Sequence, residues 1–260
     1  SDLSGIKSTI YNVTGAETHT NQTQPLTLKT TGTYTINVIT TNNVGTTSTK
    51  TYTVKIDKDA PEAGKLIMKL GDNKGNDYAD GTWTNQNVYV TLNNGSAGTT
   101  TYASVSGSAQ TVAAGTTATT TVNTNGTTTL RVKTTDGTNT VYSSNYVIKI
   151  DKTKPTAGTM TMKLGSSTGS TYTSGTWTNQ SVWLHKNDGS DTLSGHKSTT
   201  YTVSGANLTN QTADNTISAE GKYTAVVTTY DNVSNSSTRN YTINIDKTAP
   251  TTVAPTASTT

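Results

Sequence analysis

The chain repeats its own sequence at long range, and this repetition constrains the fold more than any single motif. The six residues GTWTNQ stand at 81–86 and again at 175–180. MKLG at 68–71 returns at 162–165, and IDK at 56–58 returns at 150–152 and at 245–247, each time just before a proline. The period is about 94 residues. Periodic self-similarity predicts an architecture assembled from copies of one structural module.

The repeat divides the chain into three segments and a tail. LSGIKSTIYNVTG at 3–15 matches LSGHKSTTYTVSG at 193–205, which lies well inside the last copy. We therefore expect residues 1–57 to be a truncated repeat whose opening strands are missing. Complete repeats are expected at 62–152 and 156–247, and residues 251–260 are interpreted as a linker or tail. These segments are called the first, second and third repeat below.

The local pattern within each repeat predicts β-strands. Only 30% of the residues are hydrophobic and 13% are charged, and the sequence is rich in strand-forming Thr, Val, Tyr and Ile. NVYVTL alternates apolar and other residues, as do YTVKI, YVIKI and YTINI, and this period of two is typical of half-buried strands. No segment has a helical period. We predict an all-β fold of tandem two-sheet antiparallel sandwiches with about seven strands per repeat; a closed barrel is the alternative.

The third repeat resembles a known group of domains. Its sequence SGTWTNQSVWLHKNDGSDTLSGHKSTTYTVSG, the later turn YDNVSN and the closing INIDKTAP are similar to the bacterial immunoglobulin-like tandem repeats of large surface and secreted proteins, including the OmpL47-type repeats. The resemblance covers essentially the whole chain and implies immunoglobulin-like sandwiches, without implying a particular activity. The second repeat departs from the pattern, since it has GSAGTTTY where the third has the DTLSGHK stretch.

Aromatic residues supply the structural and the binding candidates. Trp83 and Trp177 recur at the same position of two repeats, which favours a scaffold role over a pair of sugar-stacking platforms. Trp183 lies between two inward positions, so its ring is predicted to point outward and, with His196 in the nearby NDGSDTLSGHK loop, it is the candidate ligand contact. Residues expected to be structural are Trp83, Trp177, Tyr52, Tyr146 and Tyr241.

The polar residues give little support for a metal site or for catalysis. The acidic candidates are Asp72, Asp77 and Asp80 in one loop, Asp188 with Asp191, and the linker residues Asp57, Asp151 and Asp246, which are expected to orient the linker turns. None has EF-hand spacing, so we expect neither a metal nor a cofactor. No histidine recurs between repeats, the three glutamates form no pair, and no nucleophile elbow is present. We therefore predict that the chain is not an enzyme.

Charge and composition limit the classes of partner that the chain is expected to bind. The net charge is +3, and the basic residues, of which two are arginine, are scattered, which argues against nucleic-acid binding. The sequence contains no cysteine and no apolar run long enough to span a membrane. We expect an extracellular bacterial segment, on the cell wall or surface or secreted, that acts as a spacer in a protein such as an adhesin. Its expected partners are neighbouring domains of a longer chain; the alternatives are a module that binds a surface glycan or host protein, and an accessory segment of a secreted hydrolase.

Overall fold

The computed structural model describes residues 3–93, 95–96, 100–105, 108–112 and 117–253, and of 100–117 it describes only the strand backbone. These residues form strands and connecting turns without a helix, which confirms the predicted all-β class. The strands of the first repeat and the opening of the second are β1 Ile6–Gly15, β2 His19–Gln22, β3 Gly32–Asn42, β4 Thr47–Ile56, β5 Lys65–Leu70, β6 Trp83–Thr84 and β7 Val88–Asn93. The remaining strands of the second repeat are β8 Thr100–Val105, β9 Ser108–Val112, β10 Thr117–Val122, β11 Gly126–Thr135 and β12 Thr140–Ile150. Those of the third repeat are β13 Thr159–Leu164, β14 Trp177–Thr178, β15 Val182–Asn187, β16 His196–Ser204, β17 Leu208–Gln211, β18 Asn215–Ile217, β19 Gly221–Asp231 and β20 Ser236–Ile245.

The strands that the structure describes form five sheets. The first repeat has one four-stranded sheet in the order β2-β1-β3-β4. The second repeat has a three-stranded sheet, β10-β7-β5, and a five-stranded sheet, β6-β12-β11-β8-β9. The third repeat shows the same division, with β13-β15-β18 and β14-β20-β19-β16-β17. Two short strands run parallel to their neighbours, β6 beside β12 and β14 beside β20. The strands of the first repeat pair antiparallel, as do β8 with β9 and β11 and the other strands of the third repeat.

The chain divides into two compact units. Unit 1 contains residues 1–67, 90–120 and 129–146, and unit 2 contains residues 68–89, 121–128 and 147–260. The sequence repeats and these units therefore have different boundaries. The third repeat lies wholly within unit 2, and the four-stranded sheet of the first repeat lies wholly within unit 1.

The third repeat has a hydrophobic core between its two sheets. The three-stranded sheet contributes side chains such as Met162 and Leu184, and the five-stranded sheet contributes side chains such as Tyr201 and Val227. Leu184, Tyr201 and Val227 are fully buried, which follows from the alternation of inward and outward positions along each strand. The third repeat has eight strands, where the sequence predicted about seven, and one of them is the two-residue β14.

Candidate functional site

One polar site in unit 2 surrounds Asp151, the acid of the linker that follows the second repeat. Asp151 is fully buried. Its Oδ1 accepts the backbone N–H of Thr153 at 2.9 Å, and its Oδ2 accepts the N–H of Ser194 at 3.0 Å. Its own N–H donates to the carbonyl of Thr84 at 2.8 Å. The linker acid therefore contacts β6 of the second repeat and the DTLSGHK stretch of the third.

The turn between β19 and β20 contacts the backbone of the same linker. Asp231 is fully buried, and its Oδ1 accepts the N–H groups of Val233 and Asn235 at 3.0 and 2.8 Å. The side-chain amide of Asn235 donates to Asp231 Oδ2 at 2.6 Å and to the Asp151 carbonyl at 2.9 Å. Asp231 thus fixes the position of Asn235, and Asn235 binds the linker backbone.

Asp191 completes a group of three carboxylates. One oxygen each from Asp151, Asp191 and Asp231 lies within 4.8 Å of the others, a set of oxygen ligands of the type that Ca²⁺ takes. Asp191 Oδ2 accepts the N–H groups of Leu193 and Gly195 at 3.0 and 2.8 Å, so each of the three carboxylates also stabilises local backbone. Sequence reasoning named Asp151 and Asp191 separately and missed Asp231. The YDN turn at 230–232, which predicts a carboxylate that caps its own turn, could have pointed to Asp231.

The same contact between an asparagine and the preceding linker occurs in unit 1. The amide of Asn139, in the turn between β11 and β12, donates to the carbonyls of Asp57 and Asp59 at 3.3 and 3.0 Å. Asp136 accepts the N–H groups of Asn139 and Thr138 at 2.7 and 2.8 Å, and these bonds hold the pKa of its carboxyl below the usual value. We call the bonds of Asn139 to residues 57–59 and of Asn235 to residue 151 the Asn–linker contacts.

Each of the three linker acids also stabilises a turn of the same kind. The carboxylates of Asp57, Asp151 and Asp246 each accept the N–H two residues further on, at 3.1, 2.9 and 3.0 Å. This is the geometry by which aspartate stabilises a turn, and it gives a physical reason for the aspartate of each IDK motif. The expectation that these acids orient the linker turns agrees with these bonds.

Trp183 lies on the outward face of β15, as the alternation predicted. Its ring is stacked on that of His185, with a centroid distance of 5.6 Å and an interplanar angle of 6°. His185 Nδ1 lies 2.7 Å from Asp214 Oδ1, and these two side chains are each 45% exposed. Lys163 and Thr216 flank Trp183 on the neighbouring strands. These residues form an amphipathic row on the three-stranded sheet.

His196, the second candidate ligand contact, belongs to a different sheet. It begins β16 and pairs with Asp231, and its Nε2 lies 3.0 Å from Thr199 Oγ1. The structure therefore brings His185, and not His196, to Trp183, because residues two apart on one strand share a face.

The duplicated tryptophans lie in the two short parallel strands. Trp83 pairs with Lys149 and Trp177 with Asn244, so their backbones extend the five-stranded sheets. The ring of Trp177 is 58% exposed and lies 5.5 Å from the ammonium of Lys222. The expected scaffold role therefore fits the backbone at this position, whereas the exposed Trp177 ring does not fit it. Trp83, at the same place in the edge strand β6, is half-buried, so exposure at this position differs between the two repeats.

The three aligned tyrosines differ in exposure. Tyr241 is half-buried, and its hydroxyl accepts the N–H of Met160 at 3.0 Å, which ties the two sheets of the third repeat together. Tyr146 is half-buried and Tyr52 is 47% exposed. The Tyr241 hydroxyl thus bonds across the two sheets of the third repeat, whereas the aligned Tyr52 of the first repeat is exposed.

The remaining acidic candidates serve separate local purposes. In the loop of the second repeat, Asp77 pairs with Lys69 at 2.9 Å, Asp72 accepts the N–H of Lys74, and Asp80 accepts the N–H of Val147. Asp188 pairs with Lys186 at 2.6 Å instead of joining Asp191, and this hydrogen bond holds the pKa of Asp188 below its usual value. Of these candidates, Asp191 belongs to the converging group of carboxylates, whereas Asp188 and the three acids of the second-repeat loop do not.

Two glutamates stabilise loops. Glu17 accepts the N–H groups of Lys29 and Thr30 at 2.9 and 2.7 Å and lies 3.2 Å from His19 Nε2. The hydrogen bond from Lys29 is the largest cause that lowers the pKa of Glu17 to about 2. Glu220 accepts the N–H of Lys247 at 2.7 Å, beside the last linker.

Comparisons with known proteins give little further information. No family model matches the chain, and no curated protein matches it. Among solved structures it is similar to SGBP-B of the mixed-linkage glucan utilization locus of Bacteroides ovatus, solved with a mixed-linkage heptasaccharide. The identity is 12%, the alignment covers 92% of this chain and 60% of that chain, and the TM-score is 0.17. Among the described residues no helix is long and apolar enough to span a membrane.

Proposed function

We propose that the chain is a non-catalytic spacer of tandem immunoglobulin-like repeats in an extracellular bacterial protein, on the cell surface or secreted, such as an adhesin. The Asn–linker contacts carry this proposal. A spacer has to keep successive domains in a defined relative position, and this requires that the linker between them have a fixed conformation. At two successive linkers an asparagine of the following repeat donates to the linker backbone.

Two further features indicate that the conformation of each linker is restricted. Pro61 and Pro155, which follow the linker acids Asp57 and Asp151, are both buried, so each linker packs against protein after its acid. Proline also fixes its own φ angle, which reduces the conformations that a linker can reach.

The polar groups that an enzyme would use have structural partners. Glu17 and Glu220 accept backbone N–H groups, and His185 and His196 bond to Asp214 and Thr199. The buried acids Asp151 and Asp231 likewise hold turns. These assignments support the proposal of a non-enzyme, because each group has an identified structural partner.

The experiment measures the distance distribution across one linker. The chain has no cysteine, so spin labels can be attached at Asp72→Cys and Thr209→Cys, two exposed positions on either side of the linker. We expect a narrow distribution for the parent chain and a broader one for Asn235→Ala, which removes both amide bonds. The matched control is Asn240→Ala, an exposed asparagine on the same hairpin, which should leave the width unchanged. An equally broad distribution in the parent chain would contradict the spacer function.

A second candidate function is carbohydrate binding by the row of Trp183, His185 and Asp214. One observation favours it: an indole and an imidazole lie parallel on an outward sheet face, next to a half-exposed carboxylate. Aromatic faces and polar groups together suit sugar rings. A glycan array with the parent chain, Trp183→Ala and the exposed control Trp177→Ala tests it. Binding that is lost only in Trp183→Ala supports this function, and an empty array for all three rejects it.

A further inference from the structure

The four-stranded sheet of the first repeat has the same register as the five-stranded sheet of the third. In the first repeat Tyr11 pairs with Val38 and Ile36 with Tyr52. In the third repeat the corresponding pairs are Tyr201 with Val227 and Ala225 with Tyr241. The register shifts also agree, since they lie between Ile6 and Ser8 and between His196 and Ser198. The two sheets are copies of one surface.

The copies differ in how far one face is covered. In the third repeat the inward side chains Val227, Ile243 and Ile245 are at most 1% exposed, because the three-stranded sheet packs on them. Their counterparts Val38, Val54 and Ile56 are only half-buried, and Tyr52 is 47% exposed. The inward residues of β1, β3 and β4, apart from the fully buried Val13 and Tyr34, are called the open face below. The open face ends in a concavity of about 620 Å³ lined by residues that include Leu3, Ile6, Thr40 and Val44.

The open face carries the hydrogen-bonding groups that a covering strand uses in the third repeat. There, the paired hydroxyls of Thr199 and Thr229 accept the N–H groups of Gly189 and Gly158 at 3.1 and 2.9 Å. The hydroxyl of Tyr241 accepts the N–H of Met160. In the first repeat the corresponding pair, Thr9 and Thr40, is formed with 3.3 Å between the hydroxyls, and Thr9 and Tyr52 are exposed.

The first repeat also has a backbone segment, residues 26–28, with which an added strand could pair. In the third repeat Asn215–Ile217 forms β18 by pairing with β15. The corresponding residues of the first repeat, 26–28, lie outside any strand, with Leu26 and Leu28 half-buried. The two copies share the anchor beside these residues: Tyr201 donates to the carbonyl of Ala213, and Tyr11 donates to that of Gln24. Residues 26–28 therefore lie where a strand equivalent to β15 would pair.

We propose that the open face binds a β-strand pair with the sequence pattern of residues 158–187. The first strand presents alternating apolar residues, as in MTM at 160–162, and donates N–H groups to Thr40 and Tyr52. The second strand presents V-x-L, as in 182–184, and pairs with residues 26–28. Apolar burial supplies most of the binding free energy, and the hydroxyl contacts set the register. The partner is thus a strand pair that converts one exposed sheet into a two-layered core.

The experiment adds a peptide of residues 154–192 to the full chain and measures backbone amide hydrogen exchange. We expect slower exchange in β1, β3, β4 and residues 26–28, and unchanged exchange in β16, β19 and β20. A peptide that carries Met160→Asp and Leu184→Asp is the matched control and should not bind. In the full chain, Tyr52→Phe removes one hydroxyl acceptor without altering the ring and should weaken binding roughly fivefold, the equivalent of one hydrogen bond. Tyr230→Phe, which alters another exposed tyrosine on a different sheet, should have no effect.

Three outcomes would overturn the proposal. The first is the absence of protection in β3 and β4 at the highest concentration at which the peptide stays soluble. The second is equal protection by the peptide with two aspartates, which would show binding without use of the apolar pattern. The third is concentration-dependent protection of the same strands without any peptide, together with a dimer mass in light scattering. That result would identify a second copy of this chain as the occupant.

Discussion

The Thr199–Thr229 pair offers a direct test of how the two sheets of the third repeat are joined. Thr229 is fully buried, and its hydroxyl accepts the Gly158 N–H at 2.9 Å and lies 3.1 Å from Thr199 Oγ1. Thr229→Val keeps the shape of the side chain and removes the hydroxyl. The Gly158 N–H then stays buried without its acceptor, at a cost of about 1–3 kcal/mol, and the bond between the two threonines is also lost, at about 1 kcal/mol. The added methyl group offsets up to about 0.8 kcal/mol by apolar burial.

The net expectation is a loss of about 2 kcal/mol in the free energy of opening of the third repeat, since the Thr199 hydroxyl keeps its bonds to Gly189 and His196. Hydrogen exchange at the amides of Val203 and Val227 measures that free energy in the full chain. The first repeat contains the control: Thr40→Val removes the aligned hydroxyl from a half-buried site and should cost less than about 0.5 kcal/mol. Equal losses at the two positions, or a loss below about 0.5 kcal/mol for Thr229→Val, would refute the argument that buried N–H acceptors join the sheets.

Three further predictions follow from burial and charge. Leu184→Ala, at a fully buried position of β15, should destabilise the third repeat by about 2–5 kcal/mol in urea unfolding, because it opens a cavity in the core. Trp177→Ala should cost less than about 1 kcal/mol in the same assay, since the ring is 58% exposed and contacts Lys222 through one exposed cation–π interaction. The pKa of Glu17 is lowered to about 2, so its stabilising effect is present above pH 4.5 and is lost as the pH falls through 2. Glu17→Gln should therefore destabilise the first repeat at pH 7 and have little effect near pH 2; a carboxyl NMR titration that returns an ordinary pKa would contradict this.

Much of the fold could be predicted from the sequence because strand periodicity records burial directly. The alternating residues of NVYVTL are buried in the order predicted, with Val88, Val90 and Leu92 inward. The same rule predicted that Trp183 points outward. What the pattern could not predict was the length of the edge strands. β14 has two residues and runs parallel to β20, so no alternation exists from which to infer the exposure of Trp177.

The polar site was harder to predict because its residues come from three distant parts of the chain. Successive members of the group Asp151, Asp191 and Asp231 are 40 residues apart in sequence. They meet because β16 pairs with β19 and the linker follows β12. Spacing rules for metal loops apply to ligands within one loop and therefore do not detect such a group. Sequence reasoning also could not distinguish Asn139 and Asn235 from the many other asparagines of the chain. Their role depends on which backbone carbonyl lies opposite the turn, and the sequence does not give this.

The burial of the linker acid differs between two linkers of similar sequence. IDKDAP and IDKTKP share four of their six residues, yet Asp57 is exposed and Asp151 is fully buried. Both linkers have the Asn–linker contact, so this contact does not cause the difference. Asp151 Oδ2 also accepts the Ser194 N–H, which comes from the DTLSGHK stretch. The second repeat has GSAGTTTY at that place, and its sequence supplies no equivalent of Asp191. In an array of such repeats, the more firmly held linkers should therefore be those followed by a D-T-L-S-G stretch.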